Sequence, residues 1–193
     1  KAEDIDAVYN SAIVDFGKID ILVNNAGYAQ AGEFVSVTDE QWQYDFDLKL
    51  MAAVRMSRLV FPGMIERKWG RILNMLNTLA KAPTARSAPT SVTRAAGMAL
   101  TKVLAGEGAA HNVLVNGLNI GRIFSDQIVR AHTDSDSDKT LEEFVAAAGK
   151  GLPMGRFGEA DECANIACLL CSDAGGYISG TSINVDGNLS PVV

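Results

Sequence analysis

The residues best placed to do chemistry follow a short apolar run near the start of the chain. Residues 19–23 are rich in β-branched side chains and lead directly into Asn-Asn-Ala-Gly at positions 24–27 and then into Tyr28. Such a run predicts a buried strand of a parallel sheet. Ligands of open α/β sheets bind beyond the carboxyl ends of the strands, so the turn and Tyr28 are predicted to lie at a ligand site.

The three cysteines lie close together near the carboxyl end of the chain. Cys163, Cys168 and Cys171 have the spacing of three ligands of a plant-type iron–sulfur site. A fourth ligand is missing and the stretch has the pattern of a helix, so we expect small core side chains and no metal. The odd number also argues against a disulfide framework and favours a reducing, cytoplasmic compartment.

A polar stretch in the second half of the chain has some features of a calcium loop. Asp134, Asp136 and Asp138 occupy its first positions, but Lys139 stands where such a loop needs glycine. The stretch therefore predicts a solvated loop without metal. His132 lies beside it and is expected to be a solvated loop residue, with contact to a substrate as the alternative.

Segments with the periodicities of strands and helices alternate along the whole chain. Further strands are predicted at residues 70–76, 112–120 and 181–187. Helices are predicted at residues 1–16, 38–61, 89–106, 141–148 and 159–171. Thr38 and Gln41 have the spacing of a capping box, and Pro62 is expected to break or kink the helix that they open. The alternation indicates βαβ units and a doubly wound parallel sheet of the α/β class.

Length and charge exclude several classes of protein. The chain has 193 residues, enough for a single domain with its own core. Its formal net charge of −6 argues against nucleic acid or an anionic membrane as the main partner, because both require a basic face. There is no apolar run of about 18 residues and no secretory signal pattern, so no membrane partner is expected.

Four landmarks occur in the order of one known enzyme family. They are Asn-Asn-Ala-Gly at 24–27, GRILNML at 70–76, VLVNGLNIGRIFSD at 113–126 and GRFGEADECANIACLLCSDAGGYISGTSINVDGN at 155–188. Together they resemble the short-chain dehydrogenase/reductase family, of the 3-oxoacyl reductase-like kind. The resemblance implies a Rossmann-type, three-layer α/β/α fold, NAD or NADP as cofactor, and a small carbonyl or alcohol substrate.

The family's first two βα units have no counterpart in these residues. The first unit carries the glycine-rich turn that seats the cofactor pyrophosphate on a helix N-terminus, and no G-x-x-x-G-x-G pattern occurs here. We therefore expect residues 1–193 to be a single, incomplete dinucleotide-binding domain that lacks its first strands. The native chain is expected to extend further at its amino terminus.

The resemblance places the family's four catalytic positions on atypical residues. The serine position falls on Asn77, the tyrosine and lysine positions on Thr90 and Arg94, and the asparagine position on Lys49. Thr90 is a poor general acid, whereas Asn77 can still donate a hydrogen bond to a carbonyl oxygen. Arg94 can bind the cofactor ribose but holds its proton at working pH, and Lys49 adds a cation. Tyr28 is a candidate surrogate acid, with a pocket wall as the alternative.

Two functions follow from these positions. The first is an NAD(P)-dependent oxidoreductase with an altered proton route. The second is a catalytically silent, nucleotide-binding homologue that acts as a scaffold or regulator, because fold alone does not determine function.

The resemblance also assigns residues around the cofactor. The expected cofactor-binding residues are Asn25, Ala26, Gly27, Arg94, Ile120, Gly121, Ile123 and Ser125. Residues 122–158 are expected to form a substrate lid. The two long helices are expected to build a homodimer or homotetramer.

Overall fold

A computed structural model describes residues 1–135 and 137–193, so Asp136 of the polar stretch lies outside the described residues. The strands are β1 (Ile21–Asn24), β2 (Ala31–Gly32), β3 (Gly70–Asn77), β4 (Ala88–Pro89), β5 (Val113–Ile120) and β6 (Ser182–Val185). The α-helices are α1 (Ala2–Phe16), α2 (Asp39–Asp45), α3 (Ala52–Arg67), α4 (Thr90–Gly108), α5 (Asp126–Asp134), α6 (Leu141–Gly149) and α7 (Ala160–Cys171).

The predicted α/β class is confirmed by a four-stranded parallel sheet in the order β1-β3-β5-β6. The two central strands pair over their full length, with Ile72 beside Val115 and Asn77 beside Ile120. Nearly all of their residues are buried, because helices cover both faces of the sheet. This burial explains why the strands read as almost continuous apolar runs in the sequence.

Two apolar clusters form the core, one on each face of the sheet. Ile72 packs with side chains of α3 and α4, and its neighbour Leu73 packs with Leu118 and Leu170 of α7. Successive side chains of a strand point to opposite faces, so these two clusters define three layers. The three-layer α/β/α arrangement follows directly.

The helix predicted from Thr38 begins as expected and then departs from a regular α-helix. The Thr38 hydroxyl accepts a hydrogen bond from the backbone N–H of Gln41, whose side chain accepts one from the backbone of Thr38. A π-helical turn at Phe46–Met51 then joins α2 to α3. No break occurs at Pro62. The helix continues to Arg67 because apolar side chains on either side of the proline are buried in the core.

Three short elements, β2, β4 and α5, were not predicted from the sequence. β2 and β4 form a short antiparallel pair that joins the segment after the Asn-Asn-Ala-Gly turn to the start of α4. α5 places His132 in its last turn, with the ring centroid 5.2 Å from that of Phe144 and Nε2 2.8 Å from the carbonyl oxygen of Lys139. The prediction that His132 is a solvated loop residue is therefore wrong, since it packs α5 against α6.

The cysteines lie on α7 as predicted, but they differ in environment. Cys163 is buried, Cys171 is half-buried and Cys168 is exposed. Burial raises the pKa of the Cys163 and Cys171 thiols. Over residues 1–135 and 137–193, no three His, Cys, Asp or Glu side chains form a cluster able to hold a metal ion. Over the same ranges, no helix combines the length and apolar character needed to cross a bilayer.

Candidate active site

The predicted site residues lie beyond the carboxyl ends of neighbouring parallel strands. The turn at 25–27 follows β1, Asn77 is the last residue of β3 and Ile120 is the last residue of β5. α4 begins at Thr90 and packs across β3 and β5, whereas Lys49 lies in the π-helical turn. This is the edge at which open α/β sheets bind ligands.

The Thr90 hydroxyl is buried at the start of α4 and is fully engaged in hydrogen bonds. Thr90 Oγ1 donates to the carbonyl oxygen of Gln30 at 2.6 Å and accepts from the Gln30 backbone N–H at 3.1 Å. It also accepts from Lys49 Nζ at 2.7 Å. The hydroxyl oxygen therefore accepts from a cation, while its single proton is donated to the Gln30 carbonyl.

The Lys49 ammonium forms a buried ion pair with Asp45, and the exposed fractions of the two side chains are only 1% and 2%. The other oxygen of Asp45 accepts a 2.6 Å hydrogen bond from the Thr93 hydroxyl. Burial lowers the pKa of Lys49, while the adjacent Asp45 carboxylate raises it and the charge of Arg94 lowers it further. Lys49 is thus a desolvated cation held on the Thr90 hydroxyl.

Sequence reasoning missed Asp45, although a signal for it exists. Asp45 and Lys49 are four residues apart, which is the spacing of an ion pair on one helix face. Charged residues at this spacing are common on solvated surfaces, so the spacing alone does not indicate burial. Only the packing of the π-helical turn against α4 shows that this pair is internal.

Arg94 lies one turn after Thr90 and reaches the turn that follows β1. A Cβ atom on Gly27 would lie 2.8 Å from Arg94 Nη2, so the absence of a side chain there leaves room for the guanidinium. Nη1 donates to the carbonyl oxygen of Met75, while Nε is buried and has no hydrogen-bond partner among the described residues. Burial also lowers the pKa of Arg94. An orphaned donor of this kind suits a ligand that presents oxygen acceptors.

Asn77 supplies a second orphaned polar atom at the same sheet edge. Its Oδ1 is buried and accepts no hydrogen bond from any residue that the structure describes. Arg94 therefore offers a donor and Asn77 an acceptor, and a ribose or other polyhydroxylated group has hydroxyls that satisfy both. On this observation, the residues present fit the sugar of a dinucleotide cofactor.

Tyr28 is placed beside this cluster but outside its hydrogen bonds. Its ring centroid is 6.0 Å from Lys49 Nζ and 5.9 Å from the ring centroid of Tyr44. The hydroxyl group donates to Gln30 Oε1 at 3.5 Å, and the side chain is exposed. The aromatic packing agrees with a pocket wall, and the assignment of Tyr28 as a surrogate acid remains a prediction.

The segment after β5 is fixed by close backbone packing. A Cβ atom on Gly121 would lie 2.6 Å from the Cα of Asp186, so glycine allows the end of β5 to approach the end of β6. Ile123 then forms a bridge with Gly158, and Ser125 precedes the first residue of α5. Gly121 thus ties the start of the 122–158 segment to the sheet, and the bridge joins the two ends of the segment to each other.

A groove of about 740 Å³ lies beside β1 at the same level. Its walls include Asn25, Ala26, Tyr44 and Lys49, together with residues of α1 and α3. Asn77, Thr90 and Arg94 are not among its lining residues, so the groove borders only part of the predicted site. The groove gives the turn after β1 and the buried Lys49 a common boundary.

The chain is similar in sequence to a family of known reductases. Residues 1–190 match the family described as enoyl-(acyl carrier protein) reductase. Acetoacetyl-CoA reductase of Shinella zoogloeoides is 36% identical over 173 residues, which cover 90% of this chain and 68% of that protein. The 3-oxoacyl-(acyl-carrier-protein) reductase of Vibrio cholerae is 30% identical over 187 residues, or 97% of this chain and 73% of the relative.

Solved structures resemble the whole chain. The L-sorbose reductase of Gluconobacter frateurii, complexed with NADPH and L-sorbose, has a TM-score of 0.93 and is 33% identical, with 100% of this chain and 74% of that chain covered. YwfH, an NADPH-dependent reductase involved in bacilysin biosynthesis, has a TM-score of 0.89 at 26% identity. The chain therefore belongs to the short-chain dehydrogenase/reductase family and is an oxidoreductase of its 3-oxoacyl reductase-like kind.

Proposed function

We propose that this oxidoreductase reduces small carbonyl compounds with NADPH or NADH, without the serine, tyrosine, lysine and asparagine typical of the family. The observation that carries the proposal is the pair of orphaned polar atoms, Arg94 Nε and Asn77 Oδ1, at the carboxyl edge of the sheet within the described residues. The similarity to acetoacetyl-CoA reductase and to L-sorbose reductase supports the substrate class. The comparisons give no support to a silent homologue, since these relatives are named as reductases.

When bound, the nicotinamide cofactor supplies a hydride to the substrate carbonyl carbon. Around it, Arg94 donates hydrogen bonds to ribose hydroxyls, and Gly27 leaves room for the guanidinium. Asn25 and Ala26 line the groove on the β1 side. The remaining cofactor contacts are assigned to the end of β5 and the segment after it. They are Ile120, Gly121, Ile123 and Ser125.

The substrate oxygen is held by residues of this chain. The Asn77 side-chain NH2 donates a hydrogen bond to the carbonyl oxygen, as an oxyanion-type donor, while its Oδ1 is left to accept from a ribose hydroxyl. The Lys49 ammonium donates to the hydroxyl of Thr90 and favours negative charge on the substrate oxygen. Tyr28 forms a wall of the substrate pocket, and residues 122–158, with α5 and α6, act as its lid.

The assembly and location of the protein are also part of the proposal. α3 and α4 pack against each other, and α4 exposes Val92 and Val103, whose exposed fractions are 45% and 57%. Apolar side chains on a long helix are suited to a contact between copies, so we infer a homodimer or homotetramer. The three free cysteines support a reducing, cytoplasmic compartment.

The test is a fluorescence titration of the native full-length protein with NADPH and NADH, followed by a carbonyl substrate panel. Arg94→Met is expected to weaken cofactor binding about 10- to 100-fold, because it removes charged donors from the site. Lys102→Met, on an exposed turn of the same helix, is the matched control and is expected to bind like wild type. Absence of cofactor binding, or binding without turnover of any carbonyl compound, contradicts the proposal.

A further inference from the structure

The buried ion pair between Asp45 and Lys49 is an unusual use of two charges. Both side chains are almost completely inaccessible, with exposed fractions of 2% and 1%. Apolar residues of similar size usually stabilise such positions equally well or better, because burying two charges costs desolvation energy. The pair therefore needs an explanation beyond the stability of the fold.

The pair lies where a helix departs from its regular geometry. The π-helical turn at Phe46–Met51 carries Lys49, and turns of this kind occur frequently at functional sites. From this turn, Lys49 Nζ contacts Thr90 Oγ1 at 2.7 Å across the boundary between two helices. Asp45 is held in turn by the Thr93 hydroxyl, whose Oγ1 donates to it at 2.6 Å. Asp45 and Thr93 thus hold the Lys49 ammonium on the Thr90 hydroxyl.

We propose that Lys49 is the proton donor of the reduction, that Thr90 relays the proton, and that Asp45 and Thr93 position Lys49. This inference rests on the proposed carbonyl reduction. Once the substrate carbonyl has become an alkoxide, Thr90 Oγ1 breaks its hydrogen bond to the Gln30 carbonyl, gives its proton to the alkoxide oxygen and receives one from Lys49 Nζ. The net change exchanges an ammonium N–H bond for an alcohol O–H bond and leaves a neutral lysine amine, which solvent protonates again.

The surroundings of Lys49 suit a proton donor better than those of the other candidates. Burial makes its ammonium more acidic, whereas the Asp45 carboxylate keeps it protonated. The other titratable groups that face it are Arg94 from α4 and Tyr28 from the loop after β1. Arg94 carries charge at the site but does not release a proton at working pH. Lys49 is the buried group of this cluster that can both hold a proton and give it up.

The first test measures the charge of Lys49 directly, without turnover. The native full-length protein is labelled with [ε-13C]lysine and titrated by NMR, and the Lys49 signal is assigned by its loss in Lys49→Arg. We expect the Lys49 pKa to be lower than those of the exposed lysines, and lower still in Asp45→Asn, which removes the neighbouring anion. A Lys49 that titrates together with the surface lysines overturns the inference.

The second test uses kinetics. Lys49→Arg keeps the charge but not the labile proton, and it is expected to lower kcat by about 100-fold or more, the contribution of general acid catalysis. Cofactor affinity is expected to change less than twofold, and Lys102→Arg serves as the matched control. In Asp45→Asn, kcat is expected to fall with rising pH at a lower pH than in wild type, because the acid loses its proton earlier.

The two proposals fail in different ways. Unchanged kcat in Lys49→Arg, or an unchanged pH profile in Asp45→Asn, overturns the role of Lys49 and leaves the reductase standing. A wild-type protein that binds no cofactor, or that binds it and reduces no carbonyl compound, overturns both. If Lys49→Arg does not fold, the Lys49 signal is assigned instead as the lysine resonance whose pKa changes in Asp45→Asn, and a wild type and Asp45→Asn with identical lysine titrations overturn the inference.

Discussion

Removing only one partner of the Asp45–Lys49 pair is predicted to destabilise the protein strongly. Asp45→Ala leaves an ammonium whose side chain is 1% exposed without its anion. Breaking a buried pair in this way typically costs about 3–5 kcal/mol, because one charge remains in the interior without compensation. Lys49→Met is expected to cost a similar amount by leaving the carboxylate unpaired.

The loss of unfolding free energy in Asp45→Ala has an upper limit, because Lys49 can avoid being a buried, unpaired charge by losing its proton. At pH 7 this costs about 5 kcal/mol, since the ordinary lysine pKa of 10.5 lies about 3.5 pH units higher and each unit is worth about 1.36 kcal/mol. At pH 9 the same limit falls to about 2 kcal/mol. Between the lowered pKa and 10.5 the unfolded chain binds more protons, so the stability of the variant rises with pH.

The assay is urea denaturation of the full-length protein at both pH values, for wild type, the two single variants and Asp45→Ala/Lys49→Met. The double variant is expected to be more stable than either single variant, with a coupling of about 3 kcal/mol at pH 7. The matched control is the Lys18–Asp20 pair, whose exposed fractions are 57% and 37% and whose coupling should stay below about 1 kcal/mol. Additive single effects, or a penalty for Asp45→Ala that is equal at pH 7 and pH 9, refute the reasoning.

Two further predictions concern glycine packing and a surface carboxylate. Gly121→Ala is expected to lower the unfolding free energy, measured by thermal denaturation, by about 1–3 kcal/mol, because the added Cβ would lie 2.6 Å from Asp186 Cα. The control is Gly106→Ala, whose Cβ would meet no neighbouring side chain or strand within 4 Å and which should stabilise the protein by about 0.4–1 kcal/mol. Equal effects of the two substitutions contradict this prediction. Hydrogen bonds from Arg156 and from the Glu159 backbone lower the pKa of Glu162 to about 2. The ionised Glu162 carboxylate stabilises the protein above its ordinary pKa of 4.5, and this stabilisation is lost as the pH falls towards 2. The difference in unfolding free energy between wild type and Glu162→Gln should therefore vanish between pH 4.5 and pH 2. A difference that does not depend on pH contradicts the assignment.

The sheet could be predicted because its signals are local and redundant. β3 and β5 are buried on both faces, so their sequences are almost continuously apolar and bounded by polar turns. The start of α2 at Thr38 depends on a capping box that involves only neighbouring residues. Elements of this kind need no information from distant parts of the chain.

The elements that were missed depend on contacts between distant residues or on weak burial. β2 and β4 are two residues each and pair across more than fifty positions, from Ala31 to Pro89. α5 spans only nine residues, is mostly polar and buries no residue, so its sequence resembles that of a solvated loop. The burial of Asp45 depends on Thr93 of α4, forty-eight positions away, and helix periodicity carries no trace of it.

The changes at the catalytic positions are mutually consistent when charge is considered. Thr90 has no acidic phenol, which the family's tyrosine would provide at this position. Its hydroxyl oxygen nevertheless accepts a hydrogen bond from the Lys49 ammonium at 2.7 Å. Arg94 supplies a buried cation at the position predicted for the family's lysine, and Asp45 balances the additional charge of Lys49. A protein that had merely lost its activity would not need this buried ion pair, because an uncharged residue at position 49 would require no carboxylate at position 45. The coordinated placement of Asp45, Lys49 and Thr90 is therefore best explained by a proton path that has moved from the tyrosine position to Lys49.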